Sequence, residues 1–179
     1  MTRRILATVA TLIVALSVPT LSRANTTAGQ DLDDSAITAR VKTALMDNKN
    51  THAYNIHVET YTGIVSLAGW VRTQEEKDAA THVAQTVSGV KEVRNQISLH
   101  AGTPFSTKVG DSIVTSRVKA ALVDNKDVKS HEMKIDTVDG IVQLSGFVSS
   151  QAMKEKAAKV AASVSGVQSV DNQLIVRPE

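Results

Sequence analysis

The side chains that could do covalent chemistry in this chain are its histidines, serines and carboxylates, which together can form a hydrolytic triad. There are five histidines, but there is no Gly-x-Ser-x-Gly turn to present a serine nucleophile. His52 and His57 lack both the His-x-x-x-His spacing and the nearby acidic cluster that are typical of metal sites. The chain has no cysteine, no phosphate-binding loop and no dinucleotide fingerprint. We therefore expect no catalytic residue, no metal and no cofactor, and so a protein that is not an enzyme.

Basic side chains are the second group with a chemical use, because lysine and arginine attract anionic lipid headgroups by about 1 kcal/mol each at a charged membrane surface. The candidate lipid-contact residues are Arg40, Lys42, Lys49, Arg117, Lys119, Lys126 and Lys129, with Lys134 nearby. The alternative is a solvated helix face, because Asp47 and Asp124 lie among these cations. Since the second cluster has the additional lysines, we expect it to bind anionic lipid more strongly than the first.

Trp70 and Phe147 form a third candidate group, in a chain of which only 3% is aromatic. Both are out of phase with Val65 and Leu67, the type of residue that a strand buries in its core. An exposed apolar strip in such a protein usually marks a contact surface. The two rings are therefore candidate interface residues, either for an external partner or for a seal between two domains.

The elements that position these residues occur twice. Residues 34–100 align without a gap with residues 111–177, and 30 of the 67 positions are identical. The apolar periodicity predicts the order helix, strand, strand, helix, strand in each copy. No histidine recurs at the equivalent position of the other copy, which indicates solvated side chains rather than a shared site.

Several residues have predicted structural roles within the copies. We expect Asp34 to cap the first helix, whose buried stripe includes Val41, and we expect the second helix to span residues 74–87. Asn95 is expected to bond to nearby backbone. Glycines recur at a hairpin turn, at a close approach of the backbone to a helix, and after the second helix. These structural glycines are Gly63, Gly69, Gly89, Gly140, Gly146 and Gly166.

The stretch Gly-Ile-Val-x-Leu-x-Gly-x-Val, at residues 63–71 and again at 140–148, resembles the signature of the BON domain, a module of bacterial envelope proteins. The later Gly-Val-x-x-Val-x-Asn-Gln stretch resembles it too. The resemblance implies an α+β fold of two tandem αββαβ domains, each a three-stranded sheet with two helices on one face. It also implies a protein of osmotic or envelope stress that contacts anionic phospholipid or unfolded exported proteins, without catalytic residues. A sensor module for a small ligand or ion is the alternative function.

The first residues predict export. Arg3 and Arg4 precede an apolar run, and Ser22-Arg23-Ala24 is a small-x-small cleavage site, so we expect a periplasmic protein cleaved after Ala24. Without the three arginines of the leader, 17 basic residues face 18 acidic ones, and we expect no nucleic-acid partner. The predicted divisions are a signal peptide at 1–24, an N-terminal segment at 25–33, domain 1 at 34–100, a linker at 101–110 and domain 2 at 111–177.

Overall fold

The computed structural model describes residues 26–51, 53–100 and 109–178, so the predicted signal peptide and most of the predicted linker lie outside the described residues. In domain 1 the elements are α1 (Thr26–Asp47), β1 (Ile56–Tyr61), β2 (Ile64–Val71), α2 (Gln74–Gln85) and β3 (Glu92–Leu99). In domain 2 they are α3 (Val109–Asp124), β4 (Lys134–Val138), β5 (Ile141–Val148), α4 (Gln151–Ala162) and β6 (Ser169–Val176). Short 3-10 turns, Ala53–Asn55 and Ser130–Glu132, precede the first strand of each domain. The predicted α+β fold of two αββαβ units is confirmed.

Each sheet has its second strand in the middle. β2 pairs antiparallel with β1 and parallel with β3, and β5 has the same relation to β4 and β6. One face of each sheet carries both helices of its own domain over a separate aliphatic core. Val65 and Leu67 are fully buried in the first core, and Val142 and Leu144 are fully buried in the second.

The hairpin turn between β1 and β2 has two residues, Thr62 and Gly63, which both have positive φ. That pair of angles suits the right-handed twist of a two-residue hairpin. The turn is held by Asp34, whose carboxylate accepts hydrogen bonds from the backbone nitrogens of Thr62 at 2.6 Å and Gly63 at 2.8 Å. Asp111 holds the equivalent turn of domain 2.

Two predicted helix boundaries are wrong. Asp34 does not cap α1, because the helix already begins at Thr26 and the carboxylate of Asp34 bonds to the hairpin turn. The second helix ends at Gln85 rather than at residue 87. Its other end agrees with the prediction, and there the Thr73 hydroxyl accepts a hydrogen bond from the backbone nitrogen of Glu76.

The two domains meet through the sheet faces that carry no helix, and we call this contact the domain seam. Its central residues are buried in both sheets, namely Ser66, Ala68, Trp70, Gln143, Ser145 and Phe147. As a result β2 and β5 are buried on both faces over seven of their eight residues. The four layers are therefore helices, sheet, sheet and helices.

The seam has an approximate two-fold symmetry that follows from the repeat. The imidazole Nε2 of His57 lies 2.5 Å from the carboxylate of Asp136, while the positive charge of Lys134 acts on the carboxylate of Glu59. His57 is equivalent to Lys134 and Glu59 to Asp136, so the two contacts exchange when the domains are exchanged. Such an exchange marks an isologous interface. β1 and β4 therefore run antiparallel across the seam, and they lie at the same edge of the molecule.

Candidate binding surface

The cations predicted to contact lipid lie on two opposite flanks of the first helix of each domain. Residues 40 and 42 are about 200° apart around a helix axis, so the buried Val41 separates Arg40 from Lys42. The hydroxyl of Thr38, one turn before Lys42, donates to the hydroxyl of Thr60 on β1 at 2.7 Å. The flank with Lys42 therefore adjoins β1.

Arg40 lies on the other flank of α1. It lines a cleft of about 360 Å³ together with Gly63, Gly89 and Lys91, beside the loop that follows α2. Both Arg40 and Lys42 are exposed, but they face different surroundings.

Domain 2 repeats this division. The hydroxyl of Thr115 donates to that of Thr137 on β4 at 2.7 Å, which turns the flank with Lys119 toward β4. Arg117 points the other way and donates from its guanidinium to the carbonyl oxygen of Ser165 at 3.4 Å. Lys49 and Lys126 are exposed in the turns after the two helices, and Lys129 is exposed where the 3-10 turn begins. The seven cations thus do not form one patch, because each helix carries its arginine and its lysine on different flanks.

Large apolar side chains that were not among the predicted site residues extend the lysine flanks. Met46, one turn after Lys42, is 68% exposed, and the equivalent Val123, one turn after Lys119, is 66% exposed. Tyr54 in the 3-10 turn is 73% exposed. The sequence did contain an indication of this surface, since both copies have an apolar residue at the position of Met46 and Val123, outside the buried stripe of the helix.

A cleft of about 240 Å³ lies between α1 and the start of β1. Its lining combines Lys42 and His57 with the apolar groups of Met46, Tyr54 and Val58. The cleft therefore joins one exposed cation to exposed and buried apolar surface, next to an edge strand.

Both candidate interface rings lie in the seam. Phe147 is 5% exposed, and its ring is 5.6 Å from that of Tyr61 in the other domain. Trp70 is 7% exposed and meets the ring of His100 edge-on at 6.0 Å between centroids. The structure gives neither ring a surface that an external partner could reach without separation of the domains.

Polar groups also cross the seam. Gln143 donates from its side-chain nitrogen to the hydroxyl of Ser98 at 3.1 Å, and Ser98 donates to Asp171 at 2.6 Å. The imidazole of His100 lies 3.1 Å from the carboxylate of Asp139. The expectation of solvated histidines is thus wrong for His100, whose side chain is 19% exposed, whereas His57 is 39% exposed although it also pairs with an aspartate of the other domain.

Glu59 is the seam residue whose protonation is most affected. Burial raises the pKa of its carboxyl, while the charges of Lys134, His57 and Lys42 lower it by a smaller amount. The carboxylate fits over Gly146, where a Cβ atom would lie 2.9 Å from its Oε2 atom. The position of the Glu59 carboxylate therefore depends on the absence of a side chain at Gly146 in the other domain.

The candidate structural glycines lie at positive φ. At Gly69 an added Cβ would lie 1.9 Å from the carbonyl oxygen of Asn55, and at Gly146 it would lie 2.6 Å from that of Glu132. The backbone that approaches is that of the 3-10 turn before the first strand, rather than that of an α-helix as expected. Gly89 instead lets the loop after α2 pack on Ile37.

Two asparagine side chains are used within the fold. Asn95 donates to the carbonyl oxygen of Lys77 at 2.8 Å, and Asn172 donates to that of Lys154 at 2.9 Å. Each thus ties the last strand to the second helix of its domain, and the predicted bonding of Asn95 to backbone is confirmed.

Within residues 26–51, 53–100 and 109–178, no three histidine or acidic side chains are grouped to hold a metal ion. None of the helices in these ranges is long and apolar enough to span a bilayer.

Comparisons with known proteins identify both repeats. The model of the BON domain matches residues 33–101 and 110–178. Osmotically-inducible protein Y of Escherichia coli (strain K12) is 42% identical over 148 residues, which are 82% of this chain and 74% of that protein. The outer membrane lipoprotein DolP of Haemophilus influenzae is 32% identical over 145 residues, 80% of this chain and 75% of that protein.

Among solved structures, the C-terminal domain of CdsD, a structural protein of the type III secretion system of Chlamydia trachomatis, matches at 15% identity. The match covers 81% of this chain and 67% of that one, with a TM-score of 0.33. A likeness at that score supports no conclusion about function.

Proposed function

Since this chain belongs to the BON domain family, as its repeated motifs predicted, we propose that it is a non-catalytic periplasmic binding protein whose first partner is the surface of anionic phospholipid. Its relatives are named as an osmotically inducible protein and an outer membrane lipoprotein, which supports a role in envelope stress. The proposal includes export by the segment 1–24, cleavage after Ala24, and two binding domains at 34–100 and 111–177.

The observation that carries the lipid proposal is the pair of matching flanks on α1 and α3. Each flank carries an exposed lysine, Lys42 or Lys119, and one turn later an exposed apolar side chain, Met46 or Val123. Surfaces that combine lysine with apolar groups suit the boundary between headgroups and acyl chains. Both flanks adjoin β1 or β4 at the same edge of the molecule, so both can approach one surface.

Co-sedimentation with liposomes that contain phosphatidylglycerol tests this proposal, at low and at high salt. The double reversal Lys42→Glu with Lys119→Glu removes two cations and adds two anions. Binding should therefore fall by at least about thirtyfold, which is the effect of losing about 1 kcal/mol for each cation. The matched control is Arg40→Glu with Arg117→Glu, the same charge change on the opposite flanks, and it should lower binding much less.

Three results would contradict the proposal. Binding to neutral liposomes should be weak, and binding to anionic ones should decrease in 1 M salt, where charges are screened beyond about 3 Å. Equal binding to neutral liposomes, no effect of salt, or equal losses from the lysine and arginine pairs would each reject it. The single variants then compare the domains, and Lys119→Glu should weaken binding more than Lys42→Glu because domain 2 carries the additional lysines Lys129 and Lys134.

A second candidate partner is an unfolded exported polypeptide. It is favoured by Met46 and Tyr54, which are large, apolar or aromatic and mostly exposed beside the cleft of domain 1. Such side chains bind the apolar residues of an unfolded chain without the need for a specific sequence.

A further inference from the structure

Two pairs of equivalent positions at the seam carry basic side chains of different chemical type. Domain 2 has Lys134 and Arg177 where domain 1 has His57 and His100. Lysine and arginine stay charged near neutral pH, whereas histidine is the side chain that changes its charge between about pH 5 and pH 8. The seam is therefore symmetric in the positions of these groups, but domain 1 supplies the ones that titrate.

Both histidines reach across the seam to carboxylates of domain 2. The Nε2 atom of His57 lies 2.5 Å from the carboxylate of Asp136, and that of His100 lies 3.1 Å from the carboxylate of Asp139. A contact between a charged imidazole and a carboxylate is stronger than the same contact with a neutral imidazole. The two pairs therefore hold the domains together more strongly where the imidazoles are protonated, and this contribution is lost as the pH rises.

Glu59 adds a contribution of the same sign. Its carboxyl is partly buried against Gly146 of the other domain, and burial raises its pKa. Ionisation of Glu59 therefore destabilises the closed seam, and this cost grows as the pH rises from the ordinary pKa through the raised one. The charges that lower this pKa are those of Lys134, His57 and Lys42, and the cleft beside Glu59 also contains His131, Glu132 and Arg177. Since the charge of His57 stabilises the Glu59 anion, its loss at high pH reinforces the effect.

The seam is less completely paired than the two cores. Among the residues that the structure describes, the buried side-chain atoms without a hydrogen-bond partner lie in or beside it, namely Trp70 Nε1, Gln143 Oε1, Glu132 Oε2 and Arg177 Nε. A buried polar group without a partner costs free energy that exposure to water recovers. The cores, by contrast, are aliphatic. We therefore expect the seam to open locally more often than either core unfolds.

We propose that the seam is a pH-sensitive contact, in which protonated His57 and His100 hold the two domains together and loss of their charge makes the seam open more often. Lys134 and Arg177 keep their charge over the same range, so they maintain the remaining contacts. Each opening exposes the rings of Trp70 and Phe147, and it releases the lysine flanks of α1 and α3 from their common edge.

The test measures how fast a single thiol in the seam of the mature chain reacts with a maleimide, at about pH 5.5 and at about pH 8. The chain has no cysteine, so Ser145→Cys supplies one thiol on the seam face of β5, where Ser145 is 4% exposed. Each rate is divided by that of Ala152→Cys, at an exposed position of α4, which removes the effect of pH on the thiolate itself. Val142→Cys is the matched control, because Val142 lies on the same strand but faces the core.

The corrected rate of Ser145→Cys should rise by about fivefold to tenfold between the two pH values, because each partly exposed charge pair contributes modestly. His57→Lys with His100→Arg, which copies the cations of domain 2, should react slowly at both pH values. His57→Asn with His100→Asn, which is uncharged, should react fast at both. His82→Asn, at an exposed position of α2, should keep the pH dependence of the parent.

This pattern of slow and fast variants supports the proposal. A corrected rate that is the same at both pH values would overturn it, as would an undiminished pH dependence in the lysine–arginine variant. Equal rates for Ser145→Cys and Val142→Cys would also overturn it, because the seam would then open only when domain 2 unfolds. Ser66→Cys, at a position of β2 that is 2% exposed, repeats the measurement from domain 1 if circular dichroism shows that Ser145→Cys does not fold.

Discussion

Leu144→Ala tests whether the seam makes the two domains one cooperative unit. Leu144 is fully buried in the core of domain 2, whereas Trp70, the single tryptophan of the chain, belongs to domain 1. Trp70 also lies in the seam, so its emission reports on the fold of domain 1 and on the contact of that domain with domain 2. If the seam couples the domains, loss of a leucine in domain 2 should shift the unfolding transition seen by a ring in domain 1.

The size of the effect follows from the burial. Truncation of a fully buried leucine costs about 3–4 kcal/mol when the neighbouring side chains cannot close the cavity. A cooperative unit of about 150 residues loses roughly 2–4 °C of melting temperature per kcal/mol, so the midpoint should fall by about 6–16 °C. Val123→Ala, at an exposed position of the same domain, should change the stability by less than about 0.5 kcal/mol.

The assay is urea and thermal unfolding, followed by Trp70 emission and by far-ultraviolet circular dichroism on the same samples. We expect one transition, at the same midpoint by both methods, that moves with Leu144→Ala. A loss below about 1 kcal/mol would refute the placement of Leu144 in the core. A Trp70 transition that stays in place while the circular dichroism splits into two steps would refute the coupling through the seam.

Three further predictions concern single contacts. Burial raises the pKa of Glu59, so ionisation of its carboxyl destabilises the folded state, and this destabilisation grows as the pH rises from the ordinary pKa through the raised one. Glu59→Gln should therefore stabilise the chain at pH 7, and melting curves should show that the gain is lost toward pH 4. An equal gain at both pH values would contradict this. Asp34→Ala leaves the turn donors of Thr62 and Gly63 unpaired and should cost about 2–4 kcal/mol in urea unfolding, whereas Asp33→Ala at an exposed neighbour should cost little. Gly69→Ala should prevent native folding, because its Cβ would lie 1.9 Å from Asn55 O; a native Trp70 emission spectrum from this variant would contradict the close approach.

The opposed flanks of α1 could have been derived from the sequence. Residues two positions apart do not share a helix face, and this applies to Arg40 and Lys42 as soon as Val41 is assigned to the core. The location of Lys42 beside β1 could not have been derived from the sequence, since it depends on how the helix is rotated over the sheet. The bond between Thr38 and Thr60 records that rotation, and the two residues are 22 positions apart.

The sequence by itself determined the repeat, the order of elements, the buried stripes and the glycine turns. Each of these follows from the local periodicity of apolar residues or from the backbone φ that a single residue must adopt. It misassigned Asp34, because an aspartate that caps a helix and one that holds a turn 28 residues away are the same residue type with different partners. Only the tertiary structure decided that Trp70 and Phe147 lie in a seam, and that His57 meets Asp136. Those contacts depend on which faces of two finished sheets pack together, and no periodicity within either domain carries that information.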